Sequence, residues 1–401
     1  MRMLCVAPLF SGIRDFVLGR GEPQGMPGFY RFLHGMEAKG HELHVIFRTE
    51  EQVMPKISDQ VFLYAGNTPA RWRHRLRGKF CLDVLSATSV GLRLSRRLSF
   101  DVVYGHLAYG AAAGFLLGRL LGIRNATRQY GSLLYGQYGP SRWRILRGNT
   151  KAALPFLLPA DHWIITQDGT RADRVARLFG TEETKLHIWL NGFDQESGDC
   201  DGEAPIRWPL PDGAKSLLWL GRLQGWKRPD RAINLLQGVL QTRPDTHLVF
   251  VGSGDWVPKL ESAARELGLS GHIHFMGAVP HKHVWSYYRR CDLFLSLLDY
   301  SNLSNTVIEA MASGCCVVAL NEGDTGLLVR DGQTGFLLDK KSLETAPALV
   351  SRLLDDDRLR TNVGSQAQTF VQRHLPSWDE RIAKEITLLE NLAASRKGLS
   401  G

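Results

Sequence analysis

What most constrains this chain is a repeated alternation along its length. Short, continuous apolar runs end in small or polar residues, and each is followed by a stretch whose apolar side chains fall at helical spacing. In the first half the runs cover residues 3–7, 43–47, 61–64, 102–104, 164–166 and 186–189. In the second half they cover 217–220, 248–251, 273–275, 293–296 and 317–320. Continuous runs of this kind mark parallel strands that helices cover on both faces. Residues 28–39 read as one such helix, with Phe29, Phe32, Leu33 and Met36 on a single face, and 257–267 and 284–290 read as others. Strand–helix alternation in both halves predicts two doubly wound α/β domains facing across a cleft, with ligands bound beyond the carboxyl ends of the strands.

Length agrees, because 401 residues are too many for one ordinary domain and suit two of about 200. The expected boundaries are residues 1–195 for the first domain, 196–215 for a Pro-, Gly- and acid-rich linker, 216–375 for the second domain and 376–401 for a closing helix and tail. In that tail Trp378, Ile382, Ile386, Leu389 and Ala393 recur at helical spacing after Pro376. Hydrophobic residues make up 44% and charged residues 22%, which supports a sizeable core and excludes a disordered or collagenous chain. The longest mostly apolar stretch, 107–123, is interrupted by Arg119 and four glycines, so it does not read as a membrane span. Six scattered cysteines without Cys-x-x-Cys spacing read as reduced thiols, and the start of the chain reads as a core strand rather than a secretory signal. These features point to the cytoplasm.

The net charge of +9 resides entirely in the first half, where residues 1–200 carry 26 Lys and Arg against 17 Asp and Glu. One cluster spans 71–97, with Arg71, Arg73, Arg75, Arg77, Lys79, Arg93, Arg96 and Arg97. A second comprises Arg142, Arg144, Arg147 and Lys151, with Trp143 and Ile145 interleaved. Basic groups mixed with aromatic and apolar ones suit an anionic membrane surface, here the inner membrane face. No nucleic-acid-binding motif accompanies the charge, so nucleic acid is not expected as a partner.

The residues that carry chemistry concentrate in the second half. The run 217–220 ends in Gly221-Arg222-Leu223, and Lys227 follows, so two fixed cations emerge at the carboxyl end of a buried strand. Such a pair can hold a diphosphate and stabilise its charge as it departs. The run 248–251 ends in Gly252-Ser253-Gly254, too few glycines for a dinucleotide fingerprint. Further on, Ser304, Asn305 and Thr306 open a helix whose first amides can cradle a phosphate, and Glu309 lies one turn inside it.

Taken together, Gly221-Arg222-Leu223 with Lys227, Val251-Gly252 with Gly254, Phe275-Met276-Gly277-Ala278-Val279, and 304–314 with Asp331-Gly332 resemble the retaining glycosyltransferases of family 4 (glycosyl transferase group 1). Looser features of the first half, among them Gly25-Met26-Pro27-Gly28 and Lys39-Gly40-His41, run in the same order. The resemblance implies a GT-B architecture, a closing helix that crosses back to the first domain, and a nucleoside-diphosphate sugar as co-substrate. By position it implies that Arg222 and Lys227 bind the donor diphosphate and that Asn305 and Thr306, with Ser304 ahead of them, offer amides to the phosphates. Glu309 would bind the ribose, Val279 would lie against the base, and Gly252 and the loop of Gly25 and Gly28 would approach the donor.

Two positions depart from the family pattern. A second glutamate usually stands eight residues before the ribose-binding one, and here that position is Ser301, leaving Asp299 as the nearest carboxylate. On the acceptor side many members read His-Gly, whereas this chain reads Arg128-Gln129-Tyr130-Gly131, leaving His106 as the nearest imidazole. No Asp-x-Asp pair ends a strand, so no metal is expected. The expected activity is metal-independent, retaining transfer of a sugar to an acceptor hydroxyl on a glycan or a lipid-linked glycan, in glycan, polysaccharide or glycolipid synthesis. The rival expectations are a nucleotide-sugar epimerase or hydrolase of the same fold and a catalytically silent sugar-nucleotide-binding scaffold.

Overall fold

The computed structural model describes residues 1–21, 23, 27–66, 79–194 and 208–395. Gly25, the arginines at 71, 73, 75 and 77, and most of the expected linker lie outside the described residues. The chain divides into two units, Met1–Gly192 with Trp378–Gly401, and Phe193–Ser377.

The first unit is built on seven parallel strands: β1 (Arg2–Pro8), β2 (Glu42–Arg48), β3 (Val61–Ala65), β4 (Val102–His106), β5 (Arg124–Gln129), β6 (His162–Thr166) and β7 (Leu186–Trp189). Their order is β3-β2-β1-β4-β5-β6-β7, so the direction in which strands are added reverses between β1 and β4. Successive side chains of β1 serve opposite faces. Met3, Cys5 and Ala7 enter one core with Phe29, Phe32, Leu33 and Met36 of the Pro27–Ala38 helix. Leu4 and Val6 enter the other with Val84, Tyr109 and Leu117.

The Trp378–Ala394 helix belongs to this first unit and buries Trp378, Ile382, Ile386 and Leu389 in the same core as Phe29 and Phe32. Gly35 makes that packing possible, since a Cβ there would stand 2.7 Å from Ile382 Cγ2. Gly28, second residue of the same helix, faces the Trp378 ring, where a Cβ would sit 3.1 Å from Cζ3. On the opposite face the Leu107–Leu121 helix, rich in Gly and Ala, presses its backbone onto the sheet.

The second unit holds β8 (Lys215–Leu220), β9 (Thr246–Val251), β10 (Ile273–Phe275), β11 (Leu293–Ser296), β12 (Val317–Leu320) and β13 (Phe336–Leu338), all parallel, in the order β10-β9-β8-β11-β12-β13. Leu217, Trp219, Leu248, Phe250, Leu293 and Leu295 fill one core with the Asp230–Val239 helix. The order again reverses beside the first strand, so the loops after β8, β9 and β11 emerge together at one edge. Among the described residues no helix is long and apolar enough to cross a membrane. The five described cysteines are free thiols.

Two strands, β5 and β13, are absent from the pattern of apolar runs. β5 reads Arg-Asn-Ala-Thr-Arg-Gln, yet its last four residues are buried, because its polar groups find partners inside the unit. The remaining strands fall within two residues of their expected positions.

Close backbone contact gives a stability prediction. A Cβ on Gly110 would lie 2.1 Å from the Val6 carbonyl oxygen, and neither the helix nor the strand can yield without moving main chain. Gly110→Ala is expected to destabilise the first unit by about 1–3 kcal/mol, as overpacking does. Gly271→Ala, where a Cβ meets nothing within 4 Å, should stay within about 0.5 kcal/mol of the parent. Urea unfolding followed by circular dichroism measures both.

Candidate functional site

The edge formed by the loops after β8, β9, β10 and β11 is held by main-chain contacts. Gly221 follows β8 at φ +138° and Gly252 follows β9 at φ +136°, regions open to glycine and strained for other residues. A Cβ on Gly252 would come within 1.9 Å of the Gly221 carbonyl oxygen, and one on Gly254 within 2.1 Å of the Leu223 carbonyl oxygen. The turns bond directly: Gly221 N to Val251 O at 2.9 Å, Leu223 N to Ser253 O at 3.0 Å, and Gly252 N to Gly277 O at 2.7 Å. The last bond brings in the loop that carries Val279.

Arg222 is exposed at this edge, and Lys227 is folded back so that a Cβ on Gly221 would stand 3.2 Å from its Nζ. Burial, followed by the charge of Arg222, lowers the Lys227 pKa to about 8. Among the described residues neither cation has a carboxylate partner within ion-pair distance. Two unneutralised cations side by side make the local potential positive, which suits an anion.

The loop after β11 is ordered from within by Asn302, which is fully buried. Its Oδ1 accepts from Ser296 Oγ at 2.8 Å and Leu298 N at 3.0 Å, and its Nδ2 donates to Leu320 O at 2.7 Å. Its own N–H donates to Thr325 Oγ1 at 2.9 Å. Ser301 Oγ accepts from Leu303 N at 3.1 Å. The loop delivers Ser304 as N-cap of the Asn305–Ala312 helix, its Oγ accepting from Val307 N at 3.4 Å and lying 3.0 Å from Thr306 Oγ1. Glu309, buried on this helix, meets His281 Nε2 at 2.9 Å through Oε1 and accepts from Tyr288 Oη at 3.2 Å through Oε2.

Asp299 is part of this loop, and its carboxylate is committed to internal cations: Arg231 at 2.6 Å, Lys340 at 2.9 Å and Arg228 at 3.4 Å. Burial alone would raise its pKa, but the hydrogen bonds and charges of Lys340 and Arg231 outweigh that and lower it. This carboxylate therefore stabilises the loop, which counts against its direct use on a sugar.

In the first unit, His106, Arg128 and Tyr130 do come together, at the ends of β4 and β5, but inside the protein. His106 is buried against Phe29 and Tyr104, and its Nδ1 lies 3.0 Å from Tyr130 Oη. Burial, with a smaller contribution from Arg128, lowers its pKa to about 3 against the opposing charge of Glu385. A ring this enclosed and this weakly basic suits packing better than accepting a proton. Arg128 spans the sheet to Gln129 O, Ile164 O and Thr166 Oγ1 and pairs with Glu385 at 3.4 Å, so its charge is also internal. Glu385 and Arg381, joined at 2.8 Å on the Trp378–Ala394 helix, complete this network and were hidden in a helix recognised by its apolar face alone.

Of the second basic cluster, Arg142, Arg144, Arg147 and Lys151 are exposed on the Arg142–Leu157 helix, with Trp143 77% exposed among them and Ile145 buried beneath.

The Lys227 environment is directly measurable. Competitive amine labelling across pH, read by mass spectrometry of the Lys227 peptide, is expected to give a midpoint near 8. Protonation is thus complete below that value and lost above it, well before ordinary lysines near 10.4 titrate. Arg222→Gln should move the midpoint upward, since it removes a neighbouring positive charge.

With this geometry in view, comparisons with known proteins converge. The sequence matches the family described as Glycosyl transferases group 1 over residues 203–370 and that described as Glycosyltransferase Family 4 over residues 28–197. It is 30% identical over 191 residues to a D-inositol 3-phosphate glycosyltransferase of Corynebacterium aurimucosum, covering 46% of this chain and 44% of that protein. The chain spans about half the length of the curated relatives it matches. In fold it is similar to sucrose-phosphate synthase from Thermosynechococcus elongatus, with a TM-score of 0.76 and 17% identity over 98% of this chain and 100% of that one. It is also similar to Anabaena HepE solved in complex with UDP, with a TM-score of 0.69 and 16% identity over 96% of this chain and 100% of that one. The chain belongs to the group 1 glycosyltransferases and has the GT-B fold.

Proposed function

We propose that this chain is a metal-independent, retaining glycosyltransferase that moves a sugar from a nucleoside-diphosphate sugar to an acceptor hydroxyl. The observation that carries the reading is the pair of unneutralised cations, Arg222 and Lys227, at the same sheet edge as the helix start of Ser304, Asn305 and Thr306 and the buried Glu309. HepE, of the same fold, was solved with UDP and with UDP-glucose, which supports this donor class.

The chemistry follows from charge. As the acceptor oxygen bonds to the anomeric carbon, the bond from that carbon to the phosphate oxygen breaks and the diphosphate gains negative charge. Arg222, protonated Lys227 and the helix amides stabilise that charge as it develops, where fixed donors in a partly dehydrated site act most strongly. Attack and departure occur on the same face, and the departing phosphate oxygen takes the acceptor proton. This route needs no strong protein base, in keeping with the buried, weakly basic His106. The donor phosphates are thereby served by cations and amides of this chain in the role that a metal plays elsewhere.

The acceptor in this reading is a glycan or lipid-linked glycan presented at an anionic membrane, used in glycan, polysaccharide or glycolipid synthesis. Its support is the exposed Trp143 between Arg142 and Arg144, with Arg147 further along the same helix and Lys151 beyond the break at Asn149.

Binding, turnover and vesicle measurements test these claims. Thermal shift against UDP-, GDP-, ADP- and CMP-sugars is expected to reveal one base that raises the melting temperature. Arg222→Ala and Glu309→Ala should each reduce that shift, and Arg222→Ala should lower kcat by roughly 10²–10³, the usual loss for one charge-stabilising donor. Donor binding without transfer to any acceptor would favour the scaffold, and turnover of donor alone would favour the epimerase or hydrolase. Separately, the protein should pellet with vesicles containing phosphatidylglycerol and not with neutral ones, and the triple variant Trp143→Ala, Arg144→Ala, Arg147→Ala should lose most of that binding. Equal recovery with both vesicle types would remove the membrane claim.

A further inference from the structure

We propose that His281 is a positioning residue that, together with Tyr288, fixes the Glu309 carboxylate so that it reads the two ribose hydroxyls of the donor. The proposal rests on the donor reading above and adds to it the residues that make its ribose recognition selective.

Glu309 is buried, with 7% of its surface exposed, and each of its oxygens already has one protein donor. His281 Nε2 serves Oε1 at 2.9 Å and Tyr288 Oη serves Oε2 at 3.2 Å. An ionised carboxylate offers about four lone-pair positions, two on each oxygen. One donor on each oxygen leaves one acceptor position on each, side by side, which suits two adjacent hydroxyls. If both protein donors fell on one oxygen, the second hydroxyl would meet an occupied acceptor. A glutamate without these donors would also lose rotamer freedom on binding the diol, a loss already incurred here in the folded chain.

The two donors differ in character. Tyr288 lies on the Val284–Arg290 helix, is buried, and stacks edge-on against Phe294 of β11 at 5.4 Å, so its hydroxyl is a fixed reference. The His281 side chain is 29% exposed and follows Val279 and Pro280 in the loop after β10. Val279 is the residue expected to lie against the base, and the ring of Pro280 restricts the main chain between the two. The segment that meets the base therefore also orients the carboxylate that meets the ribose.

The test compares UDP, GDP and ADP with their 2′-deoxy counterparts, titrated calorimetrically into the full chain. For the base that binds, the parent is expected to prefer the ribonucleotide by roughly 10–100-fold, the range for a hydrogen bond to a charged group. His281→Ala should cut that preference to under threefold while keeping most of the affinity for the deoxynucleotide. His281→Gln, which restores an N–H donor, should recover much of the preference. Arg222→Ala should weaken both nucleotides alike and leave their ratio unchanged, separating phosphate binding from ribose reading. A parent-like ratio in His281→Ala would overturn this inference and leave the donor reading standing. Equal binding of ribo- and deoxynucleotides by the parent would overturn it as well, and failure of the parent to bind any of the nucleotides would overturn both.

Discussion

The contact on which the second unit's chemistry depends is the approach of two main-chain turns, those after β8 and β9. The Gly221 carbonyl occupies the space where a side chain at 252 would begin, and the Leu223 carbonyl does the same at 254. Because these are backbone atoms at the ends of paired strands, neither turn can move without breaking the sheet register that joins Leu220 to Val251. The rigidity passes outward to the side chains. Lys227 lies over Gly221, so its ammonium is held near the strand end and partly stripped of water, and its pKa falls. Here glycine serves to let one backbone rest on another, and the cations are fixed as a result.

The first unit concentrates its buried charge at the comparable strand ends but neutralises it. Burial would push the Glu385 carboxyl up, yet the charges of Arg128 and Arg381 outweigh it and hold the group ionised. Tyr104 Oη donates to the same carboxylate at 2.6 Å. Two arginines share one glutamate in a dry environment, an arrangement that contributes little net stability when intact and is strongly destabilising when one member is removed. Its consequence is geometric: Glu385 is on the terminal helix and Arg128 on β5, so the charges register the helix against the sheet while the apolar contacts of Ile382 and Ile386 supply adhesion.

Legibility in the sequence tracks the kind of force at work. Strands such as β1 and β9 are buried on both faces and made of apolar residues, so letters alone locate them. β5 is equally buried but built from Thr127, Arg128 and Gln129, whose burial depends on partners distant in sequence, including Thr166 and Glu385. No local pattern announces such a strand. The strand-end edge of the second unit was legible where glycine and cation spacing is local, as at Gly221, Arg222 and Lys227, and at the Ser304 cap. His281, Tyr288 and Asn302 escaped notice because each acts through hydrogen bonds to partners 4 to 28 positions away. His106 and Arg128 were placed in the right part of the fold, but residue type carried no information about burial, and burial decides their chemistry.

The loop after β11 brings these strands of argument together at Ser301. A carboxylate there would add a negative charge beside the proposed diphosphate position, whereas this chain has a hydroxyl that closes a local turn onto Leu303. The nearest carboxylate, Asp299, is matched by Arg231, Arg228 and Lys340, of which Arg228 also pairs with Asp230 at 2.8 Å and Lys340 reaches Glu322 at 4.0 Å. Three cations face three carboxylates in that cluster, so its charge cancels. The positive potential at this sheet edge is consequently left to Arg222 and Lys227, which among the described residues have no ion-pair partner. Asn302 holds the loop with neutral hydrogen bonds and leaves that balance untouched. For the proposed donor, serine in place of a glutamate would forgo a contact to the sugar and leave the pull on a departing diphosphate stronger, two effects on different parts of the same molecule.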